Sequence, residues 1–190
     1  MRMLTLAAVS VALAASLAAP AVARKPTAQE KADIETLAGH YIFAIDWRDP
    51  EAYAATFAPD GVLNYGGGQA VGREEIATVI RSLRERELAN AEDGEETRGG
   101  GYNQHFVSNM VIDVAEDGNS ATELAYWFAI SGEDPAISSF GHYKDELVKI
   151  DGEWFYASRR TYNEQAEGRG TFHFFNPVTN PERYGAHVED

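Results

Sequence analysis

The order of patterns along this sequence predicts an α+β fold built as one domain. Three helical patterns occupy the first half of the chain, and four long segments rich in aromatic and β-branched residues follow them. Asp-Gly pairs at 117–118 and 151–152 are strong hairpin signals between neighbouring segments. Helices followed by an antiparallel meander predict a curved sheet with the helices covering one of its faces.

The first helix is predicted to begin after Thr27, because Thr27 and Glu30 have the spacing of a capping box. It is predicted to end near Asp46. Its apolar residues recur at helical spacing, at Ile34, Leu37, Ala38, Tyr41, Ile42 and Ile45.

Two more helices and a short strand precede the meander. Asp49 as N-cap and Pro50 in the first turn predict the second helix. A short strand at 62–65 and a third helix at 73–89 follow, and the charged run at 81–87 predicts a solvated helix face. The apolar residues of the two helices are Tyr53, Phe57, Ile76, Val79, Ile80 and Leu83.

A polar, glycine-rich loop at 90–101 leads into the strands. The four strands are predicted at 103–115, 120–131, 137–150 and 153–162. On the first of them, simple alternation puts one set of side chains on the same face, namely His105, Val107, Asn109 and Val111.

Residues 1–23 have the pattern of a secretory signal peptide. Arg2 gives a positive start, residues 4–17 are an apolar run, and Ala21 and Ala23 are the small residues that signal peptidase recognises. An uncleaved anchor is the alternative, although the run is short for a membrane span. We expect cleavage after Ala23, a periplasmic or secreted protein, and no stable membrane insertion after cleavage.

The rest of the chain is long enough for one hydrophobic core and not for two. We expect residues 24–163 to form the folded domain and residues 164–190 to form a tail that packs on it. The net charge of −14 repels phosphate backbones and argues against nucleic acid as a partner.

Several kinds of chemistry are excluded or disfavoured by missing motifs. The chain has no cysteine, which excludes thiol catalysis and cysteine-bound metals. No spacing typical of metal ligands is present, and glycines 66–68 lack the lysine and spacing of a phosphate-binding loop. Ser108 lacks the surrounding glycines of a serine-hydrolase elbow. By elimination, the sequence predicts chemistry without a cofactor.

Asp46 and His105 are the two candidate catalytic residues. Asp46 follows apolar residues at the end of the first helix, so it is either a base facing a pocket or an acid that binds turn amides. His105 lies on the first long strand, where a histidine is either a proton shuttle or a structural residue. The candidate substrate-binding residues are Tyr65, Arg159, Asn109, Tyr41, Tyr126, Tyr143, Arg98 and Trp47.

Five short motifs follow one another in a characteristic order. They are Ile45-Asp46-Trp47-Arg48-Asp49, Phe57-Ala58-Pro59-Asp60-Gly61, Gly72-Arg73-Glu74-Glu75-Ile76, the His-Phe-Val-Ser-Asn strand and Ile150-Asp151-Gly152-Glu153-Trp154. This order resembles the nuclear transport factor 2-like superfamily, in its SnoaL-like and scytalone dehydratase-like branch, over about residues 28–162. The resemblance implies a conical barrel, made of a strongly curved, mainly antiparallel sheet with the three N-terminal helices on its concave side.

The resemblance also implies roles for single residues. Dehydratases and dehydrochlorinases of this branch pair an Asp at the end of the first helix with a His on the first long strand, and Asp46 and His105 match these positions. Asp46 would orient the imidazole, and His105 would remove a proton. Tyr65 matches a substrate-binding tyrosine, and Arg159 matches a pocket arginine of the dehydrochlorinase-like members. The chain departs at Ile45, where scytalone dehydratase has a second tyrosine.

The leading hypothesis is a cofactor-independent lyase that acts on a small aromatic or alicyclic compound. The alternatives are a non-catalytic periplasmic binding or scaffolding protein, and an isomerase or polyketide-cyclase-like enzyme. The outer sheet face of this fold commonly supports association, so we expect a homodimer or homotrimer.

Overall fold

The computed structural model describes residues 23–66, 68–89, 103–131, 136–164, 176 and 178–179. Arg98, the loop at 90–101, residues 1–22 of the expected leader and nearly all of the expected tail lie outside this part. The helices are α1 (Ala28–Asp46), α2 (Pro50–Ala55) and α3 (Gly72–Ala89). The strands are β1 (Ala23–Arg24), β2 (Phe57–Tyr65), β3 (Gly68–Val71), β4 (Asn103–Ala115), β5 (Ser120–Ser131), β6 (Ala136–Ile150) and β7 (Glu153–Asn163).

Local signals in the sequence explain how the helices begin. Thr27 caps α1, and its side chain and that of Glu30 bond each other's backbone amides as a capping box. Asp49 caps α2 through the amide of Ala52, and Pro50 opens that helix. These starts confirm the expected ones.

A single sheet of seven strands has the order β1-β4-β5-β6-β7-β2-β3. Strands β4 to β7 form the expected antiparallel meander, and β2 pairs with β7 in parallel. Asp151 and Gly152 join β6 to β7 with positive φ angles of 52° and 89°, as a type I′ hairpin turn requires. The α+β class and the mainly antiparallel curved sheet are therefore confirmed.

Three features of the architecture differ from the expectations. Strands β1 and β3 were not predicted, and the expected leader cleavage after Ala23 falls inside β1. Strand β2 begins at Phe57, so Phe57 is not on α2 as expected. Pro59 breaks the helical pattern, and the pairing of β2 with β7 is irregular between Phe57 and Val62, where a proline is tolerated in a strand.

The core fills the space between the helices and one face of the sheet. Fully buried residues come from every helix and from most strands, and the largest are Ile34, Tyr41, Tyr53, Phe57, Leu63, Ile76, Ile80, Leu147, Tyr156 and Arg159. Within the described ranges, no helix is long and apolar enough to cross a membrane.

Candidate active site

Asp46 and His105, which are 59 residues apart in the sequence, are in direct contact. Oδ1 of Asp46 lies 2.6 Å from Nδ1 of His105, and Oδ2 accepts a hydrogen bond of 3.0 Å from the backbone amide of His105. An ionised carboxylate can only accept hydrogen bonds, so Nδ1 of His105 carries the proton in this contact. Nε2 is then the basic nitrogen of the ring.

The two side chains are largely, but not fully, shielded from water. The side chain of Asp46 is 10% exposed and that of His105 is 12% exposed. A nearly dry environment strengthens the interaction between carboxylate and imidazole, and the residual exposure leaves the ring accessible to a ligand.

The end of a helix is an unfavourable place for the Asp46 carboxylate. Asp46 is the last residue of α1, and the last turn of that helix contains no basic residue. The negative end of the helix dipole opposes a carboxylate there. The two hydrogen bonds from His105 compensate for this, so the dyad is a specific long-range contact and not a helix cap.

A β-bulge in β4 determines which side chains accompany His105. Between Ser108 and Val111 the strand advances by one more residue than β5 does, and Asn109 has a positive φ of 54°. Residues before and after the bulge that point inward are His105, Val107, Met110, Ile112 and Val114. The alternation predicted from sequence is therefore wrong beyond Val107, because the extra residue reverses the faces.

Aromatic rings connect the dyad to the centre of the core. The His105 ring lies 6.0 Å from Trp127, and Trp127 stacks at 5.9 Å on Tyr143. Nε1 of Trp127 donates a 3.2 Å hydrogen bond to the carbonyl of Tyr162. A Cβ on Gly141, which pairs with Trp127, would lie 1.9 Å from that carbonyl oxygen, so only glycine fits there.

Arg159 is fully buried behind these rings. Its Nε and Nη2 donate to the two carboxylate oxygens of Asp145, at 3.0 Å and 2.6 Å. The guanidinium also lies 3.9 to 4.1 Å from the ring centres of Tyr41, Tyr143 and Tyr156. Arg159 is thus a core residue whose Nη1 has no hydrogen-bond partner in the described part of the chain, and its full burial does not support the predicted contact with a substrate.

A second acid lies beside this ion pair. Glu123, Asp145 and Arg159 are neighbours across β5, β6 and β7, and all three are at most 1% exposed. Neither carboxyl oxygen of Glu123 has a hydrogen-bond partner within the described part of the chain. Burial first, and then the charge of Asp145, raise the pKa of Glu123 to about 8. Glu123 is therefore neutral at pH 7. Burial also raises the pKa of Asp145, and the charge and hydrogen bonds of Arg159 oppose that increase.

The tyrosines around Arg159 are held in the un-ionised form. Burial raises the pKa of Tyr41, Tyr143 and Tyr156, and the charge of Arg159 opposes that increase. Tyr53 donates a 2.7 Å hydrogen bond to the hydroxyl of Tyr41. Tyr41 and Tyr143 are each 2% exposed, so these two predicted substrate-binding residues lie in the core.

The remaining predicted substrate contacts are dispersed. Tyr65 is partly buried at the end of β2 and packs against the core, as a pocket residue would. Tyr126 is 55% exposed on the outer sheet face, because it alternates with the buried Trp127. Trp47 is 70% exposed, and Asn109 is exposed at the bulge. The exposed positions of Tyr126, Trp47 and Asn109 do not support their predicted contact with a substrate.

Sequence reasoning missed one property of a group of apolar side chains, namely their partial exposure. They pack against the core yet remain partly exposed, and they are Ile42, Ile45, Tyr65, Val79, Leu83, Val107 and Met110. Ile42 lies one turn before Asp46 on α1, and Val107 follows His105 on the same face of β4. Helical spacing identifies such residues as inward-facing, but it does not separate core residues from those that remain partly exposed.

In the described ranges, no three acidic or histidine side chains form a group that could hold a metal ion.

A family model for the SnoaL-like domain matches residues 26–160. The chain belongs to the SnoaL-like domain family. Among solved structures, this SnoaL-like domain is similar to a Nostoc punctiforme protein of unknown function with a cystatin-like fold. The two are 28% identical with a TM-score of 0.61, over 75% of this chain and 97% of the other.

Two further solved structures share the fold at lower identity. A Catenulispora acidiphila protein in complex with a molecule designated S-DNPA is 24% identical, with a TM-score of 0.60 over 73% of this chain and 96% of that one. A candidate scytalone dehydratase from Novosphingobium aromaticivorans is 22% identical, with a TM-score of 0.56 over 78% of this chain and 95% of that one. No curated protein matches the chain.

Proposed function

We propose that this SnoaL-like domain is a cofactor-independent lyase that acts on a small ring-bearing compound through the dyad of Asp46 and His105. One observation carries the proposal, the 2.6 Å contact between Oδ1 of Asp46 and Nδ1 of His105. A carboxylate that holds one ring nitrogen leaves the other nitrogen as an oriented base.

The proposed reaction is an elimination of water next to a carbonyl group. Nε2 of His105 takes the proton from the carbon beside the carbonyl, and the electron pair of that C–H bond forms the new C=C bond. The C–O bond to the leaving hydroxyl breaks at the same time. The imidazolium returns its proton to this hydroxyl, which departs as water, so the enzyme ends in its starting state.

Asp46 acts in this scheme through charge and orientation. The negative charge of its carboxylate stabilises the imidazolium that forms when His105 accepts a proton. The second hydrogen bond, which Asp46 accepts from the amide of His105, fixes the strand that carries the ring. The His105 base therefore needs no reorganisation when the substrate is bound.

The surroundings of the dyad favour an apolar, uncharged substrate. Ile42, Ile45 and Val107 lie next to the catalytic pair and are partly exposed. Both buried arginines of the described chain have carboxylate partners, Arg159 with Asp145 and Arg48 with Glu87. A small alicyclic or aromatic hydroxy-ketone would place its ring against the apolar side chains and its acidic C–H at Nε2.

The test uses a panel of cyclic β-hydroxy-ketones, with the conjugated product followed by its ultraviolet absorbance. We expect His105→Gln and Asp46→Asn each to lower kcat by about 100-fold or more, because each removes the oriented base.

The matched control is His142→Gln. Nδ1 of His142 lies 2.6 Å from Oε1 of Glu164, so the chain has a second histidine–carboxylate pair away from the dyad. This variant should retain activity. Full activity of both dyad variants would refute the lyase. Saturable binding of panel compounds without turnover, unchanged in both dyad variants, would favour the non-catalytic binding protein.

A further inference from the structure

Arg48 adopts a backbone conformation that is normally left to glycine. Its φ is 52°, in the left-handed region, two residues after Asp46. The amide of Arg48 bonds the carbonyl of Ile45, and the amide of Asp49 bonds that of Ala44. This is a Schellman motif at the end of α1 with Arg48 at the position where glycine is usual.

The Arg48 side chain provides a reason for the strained backbone. Its Nε and Nη2 both donate to Oε1 of Glu87, at 3.0 Å and 2.7 Å, and its Nη1 donates to the carbonyl of Ile45. The Arg48 side chain is 10% exposed and that of Glu87 is 30% exposed, so this is a largely shielded ion pair. It also supplies the positive charge that the last turn of α1 otherwise lacks.

Glu87 lies on the inward side of α3. It follows Ile76, Ile80 and Leu83 at helical spacing, so it continues the stripe that faces the core. Sequence reasoning assigned residues 81–87 to a solvated face, and for Glu87 this is wrong. An acid at the end of an apolar stripe is stable there because Arg48 meets it.

We propose that the ion pair of Arg48 and Glu87 is a clamp that positions Asp46 for its contact with His105. The clamp joins the end of α1 to the last turns of α3, and Asp46 is the last residue of α1. A rotation of this helix end would move the Asp46 carboxylate away from a ring nitrogen that it now meets at 2.6 Å. Arg48 and Glu87 are positioning residues in this inference, which rests on the proposed function only for its effect on rate.

The experiment measures hydrogen exchange at the His105 amide, which donates to Asp46 and so reports the dyad without a substrate. It compares Arg48→Gly, Arg48→Ala and Glu87→Gln with the wild-type protein. Each variant should accelerate exchange of this amide by about tenfold relative to the β4 amides of Ile112 and Val114. Arg48→Gly removes the clamp and also relieves the backbone strain, so it should keep the wild-type Tm better than Arg48→Ala does.

The control is Arg81→Ala, since Arg81 is 40% exposed and forms its ion pairs with Glu51 and Glu74 on the surface. It should leave exchange at His105 unchanged. A purely structural clamp would raise exchange along the whole of β4 in proportion to the loss in Tm, and that result would overturn the inference. Wild-type exchange at His105 in Arg48→Gly and Glu87→Gln would overturn it as well.

A kinetic readout separates this inference from the proposed function. If the lyase is active, the clamp variants should lower kcat with little change in KM, because they misplace the base without touching the substrate. If no substrate is turned over but exchange at His105 still accelerates in the clamp variants, the lyase is refuted and the clamp is supported. If the lyase is active but the clamp variants keep wild-type kcat and exchange, only the clamp fails.

Discussion

At the scale of single residues, Glu123 is the most unusual group in the molecule. It is fully buried on β5 opposite Asp145, although like charges on paired strands destabilise a sheet. Protonation of Glu123 removes this repulsion, because burial and Asp145 raise the pKa of Glu123 to about 8. The two hydrogen bonds from Arg159 favour the charged form of Asp145 and oppose the rise in its pKa that burial causes.

The proton on Glu123 predicts a specific pH dependence of stability. Above its ordinary pKa of 4.5, Glu123 is ionised in the unfolded chain but stays protonated in the folded one up to about pH 8. The folded state then binds more protons, so the free energy of unfolding falls as pH rises through this window, by roughly 1 kcal/mol per pH unit. Glu123→Gln should abolish this slope in urea unfolding series.

The control for that series is Glu146→Gln, since Glu146 is exposed on the neighbouring strand. It should keep the wild-type slope. A Glu123→Gln protein whose stability falls with pH as the wild-type does between pH 5 and pH 8 would show that Glu123 is ionised in the core.

At the scale of elements, the bulge in β4 sets the composition of the inner sheet face. Asn109 has a φ of 54° and takes up the extra residue, so His105 and Val107 share a face with Met110 and Ile112. Asparagine tolerates the left-handed region far better than a β-branched residue does. The bulge is thus encoded in part by one residue.

Substitutions at Asn109 test this encoding. Asn109→Val should lower the free energy of unfolding by about 1 kcal/mol or more, because valine is strained at this φ, whereas Asn109→Gly should be tolerated. Asp113→Val is the control, since Asp113 is exposed and lies in the regular part of β4 paired with Thr122, and it should be nearly neutral. Equal losses in the Val variants, measured by urea unfolding, would mean that the bulge does not depend on Asn109.

At the scale of the whole molecule, the outer sheet face carries exposed apolar residues. Phe106, Phe128 and Phe140 are cross-strand neighbours on β4, β5 and β6, and Phe106 stacks on Phe128 at 5.0 Å. Tyr126 and Ile137 extend this outer apolar patch, at 55% and 63% exposure. Contiguous apolar surface of this kind typically marks a protein–protein contact, so the patch supports the predicted homo-oligomer.

Light scattering after size-exclusion chromatography tests this association. We expect the wild-type protein to be a dimer or trimer and Phe140→Asp to dissociate it, raising the Kd at least tenfold, because a charge would be buried in an apolar contact. Val71→Asp is the control, since Val71 is 49% exposed on β3, away from the patch. A monomeric wild-type protein would refute the oligomer.

Most of the local structure could be predicted from the sequence, because short-range interactions encode it. The capping box at Thr27, the Asp49-Pro50 start of α2 and the hairpin at Asp151 depend on residues only a few positions apart. The limits of β4 and β5 agree with the expected ones to the residue. The leader and the oligomeric state stay predictions.

The candidate site shows the same difference between features that local patterns predict and features that depend on long-range contacts. The sequence by itself determined the α+β class, the four long strands of the meander and the two residue types suited to acid–base chemistry. The resemblance implied the pairing of Asp46 with His105, and the tertiary structure supplied its geometry. Only the tertiary structure decided that Arg159 is bound by Asp145 and that Arg48 meets Glu87. These contacts join distant segments, and their geometry depends on helix packing, strand register and a bulge, none of which a local pattern specifies.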